Sequence, residues 1–197
     1  MRASPESPRM FQSDFLDFFT RTPWYFVPIV WLPVASLSLW RGVVTHGIAL
    51  PVALGVAVLF FGVWTLAEYV LHRFVFHWRP ATSWGPRFHF FVHGVHHDWP
   101  TDRYRLVMPP MVGATLGPAF FGLFWLLLGS VWVWPAFAGF IYGYTFYDCT
   151  HYALHHLRWN FSAFKRLKAH HMNHHHNRTD TRYGVSSMFW DRVFGTI

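Results

Sequence analysis

Charged side chains are scarce in this chain. Asp, Glu, Lys and Arg make up 13% of its 197 residues, against about 25% in a typical soluble domain. Apolar residues reach 53% and aromatic ones 21%. A soluble domain of this length leaves much of its area wet and cannot hide so much apolar surface, so a bilayer is expected to cover it. Cysteine is nearly absent: Cys149 stands alone, which excludes an internal disulfide, a multi-thiolate metal site and an iron–sulfur cluster. Acids are few, nine against 16 basic residues. No basic segment followed by an apolar core and a small-residue cleavage site opens the chain, so no cleaved signal peptide is expected. No repeat of solenoid period and no low-complexity linker divides it. Its length suits one domain.

Three stretches contain no charged side chain: residues 22–40, 42–67 and 106–147. A crossing takes about 20 mostly apolar residues at 1.5 Å each. The first two stretches each give one crossing. The third, as a single helix, would run about 63 Å, twice the hydrocarbon thickness, so it should turn, and Gly129-Ser130 is the place. The expected fold is all-α: an integral membrane bundle of four transmembrane helices, near 23–40, 47–68, 107–128 and 131–148. Residues 1–22 form an N-terminal cytoplasmic or interfacial segment, its part 11–19 suited to a short amphipathic surface helix. Residues 23–197 form one membrane domain, with a helical cap from 69–105 and 149–197. Of the basic residues only Arg41 falls in a loop on one side; the other 15 lie on the opposite side. By the positive-inside rule that opposite side is cytoplasmic. The net charge of +7 therefore needs no nucleic acid to explain it.

What the chain has in excess is histidine. There are 15, and all but His46 lie between His72 and His176. Apart from His89, these fall in four groups on the cytoplasmic side: His72 and His77; His93, His96 and His97; His151, His155 and His156; His170, His171, His174, His175 and His176. Residues three or four apart share a helix face. His93 with His97, His151 with His155, and His171 with His175 can each offer two imidazoles to one ion, while His96 and His174 point toward a neighbouring one. Two adjacent ions are the simple solution. Imidazole suits iron, zinc, copper and nickel rather than calcium or magnesium. A structural zinc site needs only four ligands and closes its coordination, and ten candidates exceed that.

At these residues the sequence resembles the fatty acid 2-hydroxylase branch of the fatty acid hydroxylase / sterol desaturase superfamily. The likeness runs from Glu68 to the end, through Glu68-Tyr-Val-Leu-His-Arg-Phe-Val-Phe-His77, His89-Phe-Phe-Val-His-Gly-Val-His-His97, Asp102-Arg-Tyr-Arg-Leu-Val-Met-Pro-Pro110, Tyr147-Asp-Cys-Thr-His-Tyr-Ala-Leu-His155, Leu167-Lys-Ala-His-His-Met-Asn-His-His175 and Tyr183-Gly-Val-Ser-Ser-Met-Phe-Trp-Asp-Arg-Val-Phe-Gly-Thr196. The resemblance implies a four-helix membrane domain capped by a cytosolic dimetal site that activates dioxygen and hydroxylates a long acyl chain at carbon 2. It assigns His72, His77, His93, His97 and His174 to one metal and His96, His151, His155, His171 and His175 to the other. The metal it implies is iron, with zinc tolerated in purified protein. The 22-residue N-terminal segment is too short for the cytochrome b5 domain of many eukaryotic members, so a separate electron-donor protein is expected.

Ligand imidazoles need their outer nitrogens satisfied. Glu68, His89, Asp98, Asp102, Asp148 and Asp180 are the candidates by proximity, with solvated charges and salt bridges as the plainer reading. His156, His170 and His176 read as hydrogen-bonding neighbours or surface groups. His46, on the far side, is no ligand. Lys165, Arg166 and Lys168 read first as positive-inside residues near anionic lipid, and residues 190–197 as packing against the cap. Aromatic and small residues in 137–146 are offered either to an acyl slot or, more simply, to helix packing. Two other functions fit less well: a desaturase or a sterol or carotenoid hydroxylase of the same superfamily, and a metal-transport or metal-storage membrane protein, which would need polar ligands at mid-membrane depth.

Overall fold

The structure, a computed structural model, describes residues 6–176 and 180–197. Among these it is helical throughout, with no strand. A short helix α1 (Asp14–Phe18) leads into α2 (Phe26–Trp40), which continues through Pro28 and Pro33. Helix α3 (Leu50–Leu71) follows, then α4 (Gly85–His89), α5 (Val95–Asp98), the long α6 (Pro110–His156), α7 (Ser162–His176) and α8 (Phe189–Val193). Among the described residues three helical stretches are long and apolar enough to cross a membrane: Phe26–Thr45, Leu50–Phe76 and Pro110–His156. Their outward faces are apolar, with Val58, Leu126 and Leu127 each at least 70% exposed. Such surface marks a membrane protein.

Helix α6 reverses direction partway. Gly129 has φ +75° and ψ 179°, far from helical values. Phe120 and Phe140 would stand about 30 Å apart on a straight helix, yet their rings meet at 4.7 Å, as do Phe121 and Phe137 at 5.2 Å. The chain therefore folds back at Gly129, where a side chain would strain the positive φ.

Small residues decide how closely the helices approach. Gly139 of α6 lies against the Ala57 backbone of α3, and a Cβ there would overlap the Ala57 carbonyl. One turn on, a Cβ at Gly143 would stand 2.6 Å from the Trp64 Cβ. Gly113 and Gly117, on the other arm of α6, receive the Trp31 ring of α2. Both are Gly-x-x-x-Gly pairs, spaced one turn apart so that one groove forms on one face. The aromatic and small residues of 137–146 thus serve mainly packing, as Trp64 on Phe140 at 4.9 Å and on Tyr144 at 5.3 Å illustrate.

The segment before α2 is pinned by buried polar contacts. Asp102 accepts from Ser7 N and Ser7 Oγ at 3.0 and 2.5 Å, and Arg105 pairs with Asp17 at 2.9 Å. Phe15 and Phe18 of α1 are each 71% exposed, so the short helix turns its aromatic face outward.

Candidate metal centre

The histidines converge where α3 and α6 end. Helix α3 runs into a π-helical turn, His72–Phe76. On an α-helix, positions five apart lie about 140° out of phase. The wider turn, closed by His77 N donating to the His72 carbonyl at 3.2 Å, brings His77 back beside His72, and their Nε2 atoms stand 3.3 Å apart. A second π-turn, Phe90–Gly94, precedes α5 and carries His93. Such turns often mark functional sites. The last two turns of α6 supply His151 and His155, and α7 supplies His171, His174 and His175.

These ten rings form two groups, His72, His77, His93, His97 and His174, and His96, His151, His155, His171 and His175. In each, one ligand nitrogen per residue lies within 4.8 Å of all the others. In the first group the Nε2 atoms of His72 and His93 are 3.0 Å apart, and those of His77 and His174 3.0 Å. In the second, His96 to His151 measures 3.0 Å, His155 to His171 2.8 Å and His171 to His175 3.2 Å. The groups adjoin: the rings of His97 and His175 stack at 4.3 Å.

This arrangement fits metal ions for a chemical reason. The Nδ1–H of His72 donates to the Tyr183 carbonyl at 2.5 Å, and that of His174 to the Thr181 carbonyl at 2.7 Å. A carbonyl only accepts, so each of these rings must turn a bare Nε2 lone pair inward. Both lone pairs face the Nε2 of His77, whose single proton cannot satisfy two acceptors. A cation resolves the conflict. With metal–nitrogen bonds of about 2.1 Å, neighbouring ligands stand roughly 3.0–3.4 Å apart, close to the spacings observed. The rings are also held neutral. Burial, with repulsion from neighbouring His174, pushes His77 down to about 3 and His97 to about 2. His93, His96, His171 and His175 are driven well below the ordinary imidazole value by burial first and adjacent imidazoles second.

The carboxylates proposed for the outer contacts do other work. Glu68 accepts from Val185 N at 2.7 Å, Ser186 N at 2.8 Å and Ser186 Oγ, and so ties the C-terminal segment to α3. Asp148 accepts from Met108 N at 3.1 Å. Asp102 belongs to the Ser7 clasp. Asp98 and Asp180 are exposed, and their charges favour protonation of His89 and His174 through space. His89 receives the Arg79 Nε–H at 3.3 Å. The contacts on His72 and His174 come instead from the backbone at Tyr183 and Thr181, for which no side-chain pattern gives a signal. Asp191 was also not singled out by sequence, although it lies in the C-terminal motif: it is fully buried and takes the His170 Nε2–H at 2.9 Å. His176 is exposed and bonds the Met172 carbonyl, His46 stacks on Trp134 at 6.1 Å, and Lys168 donates to the Leu157 carbonyl. Trp190 bonds Thr65 and Phe194 stacks on Tyr69 at 5.1 Å, so the C-terminus packs on α3.

A cavity of about 460 Å³ opens beside the histidines. His93, His96 and His151 line it together with Met108 and Leu116, and Phe11, Phe19 and Phe91 form part of its wall. Met108 and Leu116 also line a smaller space of about 30 Å³, together with Trp31, Trp64 and Phe140.

Comparison with known proteins places these features among relatives. Residues 57–196 match the family described as fatty acid hydroxylase. The chain is 42% identical over 195 residues to the dihydroceramide fatty acyl 2-hydroxylase FAH1 of Arabidopsis thaliana, covering 99% of this chain and 82% of that one. It is 40% identical over 186 residues to the ceramide very long chain fatty acid hydroxylase SCS7 of Saccharomyces cerevisiae, covering 93% and 48%. A solved structure of full-length scs7p, in which only the hydroxylase domain is visible, superposes with a TM-score of 0.87 at 39% identity, covering 93% of this chain and 69% of that one.

Proposed function

The chain belongs to the fatty acid hydroxylase family, and on that premise we propose that it is a membrane monooxygenase hydroxylating a long acyl chain at carbon 2 with dioxygen at a two-metal histidine centre. The observation that carries this reading is the pair of five-imidazole groups set beside an apolar cavity that His93, His96 and His151 help to line. His72, His77, His93, His97 and His174 hold one ion; His96, His151, His155, His171 and His175 hold the other. Iron is the metal we assign, with zinc able to occupy the same nitrogens. When bound, the ions supply the oxidising power, drawn from dioxygen and external electrons, that breaks an unactivated C–H bond.

The protein's own part is placement. Neutral imidazoles bind the ions without adding negative charge, and the carbonyls of Tyr183 and Thr181 fix two of the rings. The cavity is mostly apolar and is lined by His93, His96 and His151 together with Met108 and Leu116. An acyl chain lying in it keeps its tail between the helices and brings its head-proximal carbons to the histidines. That placement favours a carbon near the carboxyl end over the chain terminus. The relatives' names, which speak of ceramide and fatty acyl chains, agree with a lipid substrate.

In this reading the two arms of α6 are separate crossings, which with α2 and α3 makes four. Residues 69–105 and 149–197 form the cap, within one membrane domain spanning 23–197 behind the segment 1–22. Gly129 and the Arg41–His46 region mark the far end, where Arg41 sits over the Trp134 ring at 4.3 Å. The histidine end carries the remaining basic residues and faces the cytoplasm. There a separate protein delivers electrons.

Expression in a host that lacks 2-hydroxy fatty acids, followed by mass analysis of its lipids, tests the activity. Acyl chains gaining one oxygen at carbon 2 are expected. Chains that lose two hydrogens and gain no oxygen would replace hydroxylation with desaturation. The cavity has its own test. Leu116→Trp fills part of the cavity, and overpacking by about 1–3 kcal/mol is expected to lower use of the longest chains roughly tenfold relative to shorter ones. A chain-length profile identical to that of the unaltered protein would separate this cavity from acyl binding.

A further inference from the structure

We propose that the two ion sites are unequal, and that Asp191 is the positioning residue that makes the His72 group the tighter of the two. The proposal rests on the two-metal reading above and adds an order of affinity that this reading does not contain.

The C-terminal segment is fastened by two buried carboxylates. Asp191 Oδ1 accepts from Tyr183 N and from Thr196 Oγ1, both at 2.8 Å. Its Oδ2 accepts from Gly184 N at 2.8 Å and His170 Nε2 at 2.9 Å. Glu68 takes the next two backbone N–H groups, Val185 and Ser186. Burial alone would raise the Asp191 carboxyl, but its hydrogen bonds from His170, Thr196, Gly184 and Tyr183 hold it below the ordinary carboxylate value. It therefore stays an anion able to accept all four donors. The chain just before this anchor takes an unusual path. Arg182 has φ +63°, a region that L side chains rarely adopt, and its N–H is held by the Thr196 carbonyl at 2.7 Å. On either side of it the carbonyls of Thr181 and Tyr183 turn to His174 and His72. Asp191, Thr196 and Glu68 thus hold a turn whose two carbonyls fix the tautomers of two rings in one group.

Among the described residues, four of the five rings of the other group have no such partner. The Nδ1 atoms of His96, His151, His171 and His175 are buried and find no protein acceptor among the described residues. The protein does not dictate which nitrogen of those rings carries the proton. Outer partners of metal-binding imidazoles are worth about 10–100-fold in metal affinity. The His72 group should exceed the His96 group by about that factor.

Zinc provides a redox-silent probe. The purified, detergent-solubilised protein is loaded with Zn(II), then challenged with rising EDTA while zinc per chain is measured by elemental analysis. Two zinc ions per chain are expected, leaving in two steps separated by about tenfold or more in chelator strength. His171→Ala should remove the easily lost ion and keep the tight one; His72→Ala should do the reverse. Asp191→Asn, which replaces one accepting oxygen with a donor, should move the tight step toward the loose one and leave the loose step in place. Asp191→Glu, which keeps the charge and the acceptors, should recover part of the separation. A merely structural role for Asp191 would shift both steps together, and that result would overturn its assignment. Release of both ions in one step from the unaltered protein would overturn the inequality while leaving the two-metal reading standing. Saturation at one ion per chain would overturn that reading itself, and this proposal with it.

Discussion

Alanine at His155 or at His97 is expected to abolish product formation and to lower the metal held by the purified protein. His155 brings its Nε2 to 2.8 Å from that of His171, and its ring lies within 4.7 to 4.8 Å of His96 and His175. Its removal leaves four nitrogens where five converge. His97 stands at the seam. Its ring stacks on His175 at 4.3 Å and lies 4.9 Å from both His77 and His174. Loss of His97 takes a nitrogen from the first group and opens space beside the second.

Because loss of an outer partner alone costs about 10–100-fold in metal affinity or activity, loss of a direct ligand should cost at least about 100-fold in rate. Hydroxylated lipid quantified by mass spectrometry and metal per chain by elemental analysis are the two readouts. They should fall together. His46→Ala is the control, because its ring packs on Trp134 at the opposite end of the bundle, and it should leave both unchanged. Full activity with two ions per chain in either His97→Ala or His155→Ala would remove that residue from the ligand set.

How much of this centre was legible beforehand depended on what kind of signal each part leaves. The i, i+4 pairs at 93/97, 151/155 and 171/175, and the offset positions of His96 and His174, follow from helical periodicity, and the structure brings all eight together. His77 is different. Five residues beyond His72, its Nε2 stands 3.3 Å from that of His72 only because the helix widens into a π-turn, and its place comes from family likeness rather than spacing. The outer contacts were misjudged for a physical reason. With so few acids near the histidines, each carboxylate looked like a partner for an imidazole, whereas Glu68 and Asp148 hold backbone N–H groups of Val185, Ser186 and Met108. On His72 and His174 a backbone carbonyl takes the imidazole proton, and every residue has one, so composition cannot point to Tyr183 or Thr181. The reversal at Gly129 was legible because a 42-residue uncharged run is too long for one crossing. The helix contacts at Gly139 and Gly143 were not, since small residues mark close approach without naming the helix that approaches.

Those contacts carry the second large effect. Gly139→Leu is expected to destabilise the protein strongly, and with it the metal centre that α3 and α6 jointly carry. Between apolar helices in lipid, burial of apolar surface drives association little, because the lipid tails are themselves apolar; close packing does the work instead. Gly139 lies on the Ala57 backbone, so any Cβ overlaps main chain that cannot swing aside as a side-chain tip can. The helices must separate, and the contacts of Trp64 with Phe140 and Tyr144 loosen with them. Overpacking of this kind costs typically about 1–3 kcal/mol; displacement of backbone by a four-carbon side chain belongs at or above the upper end. Gly122 provides the contrast on the same helix. A Cβ there meets nothing within 4 Å, and Gly122→Ala should be neutral or stabilising by roughly 0.5–1 kcal/mol, because glycine in mid-helix carries an entropic cost. Unfolding of the detergent-solubilised variants, followed by helical signal against denaturant, would rank them. If Gly139→Leu proved as stable as Gly122→Ala, the close crossing of α3 and α6 would be wrong, and the convergence of His72 with His93 and of His151 with His96 would lose the frame that positions it.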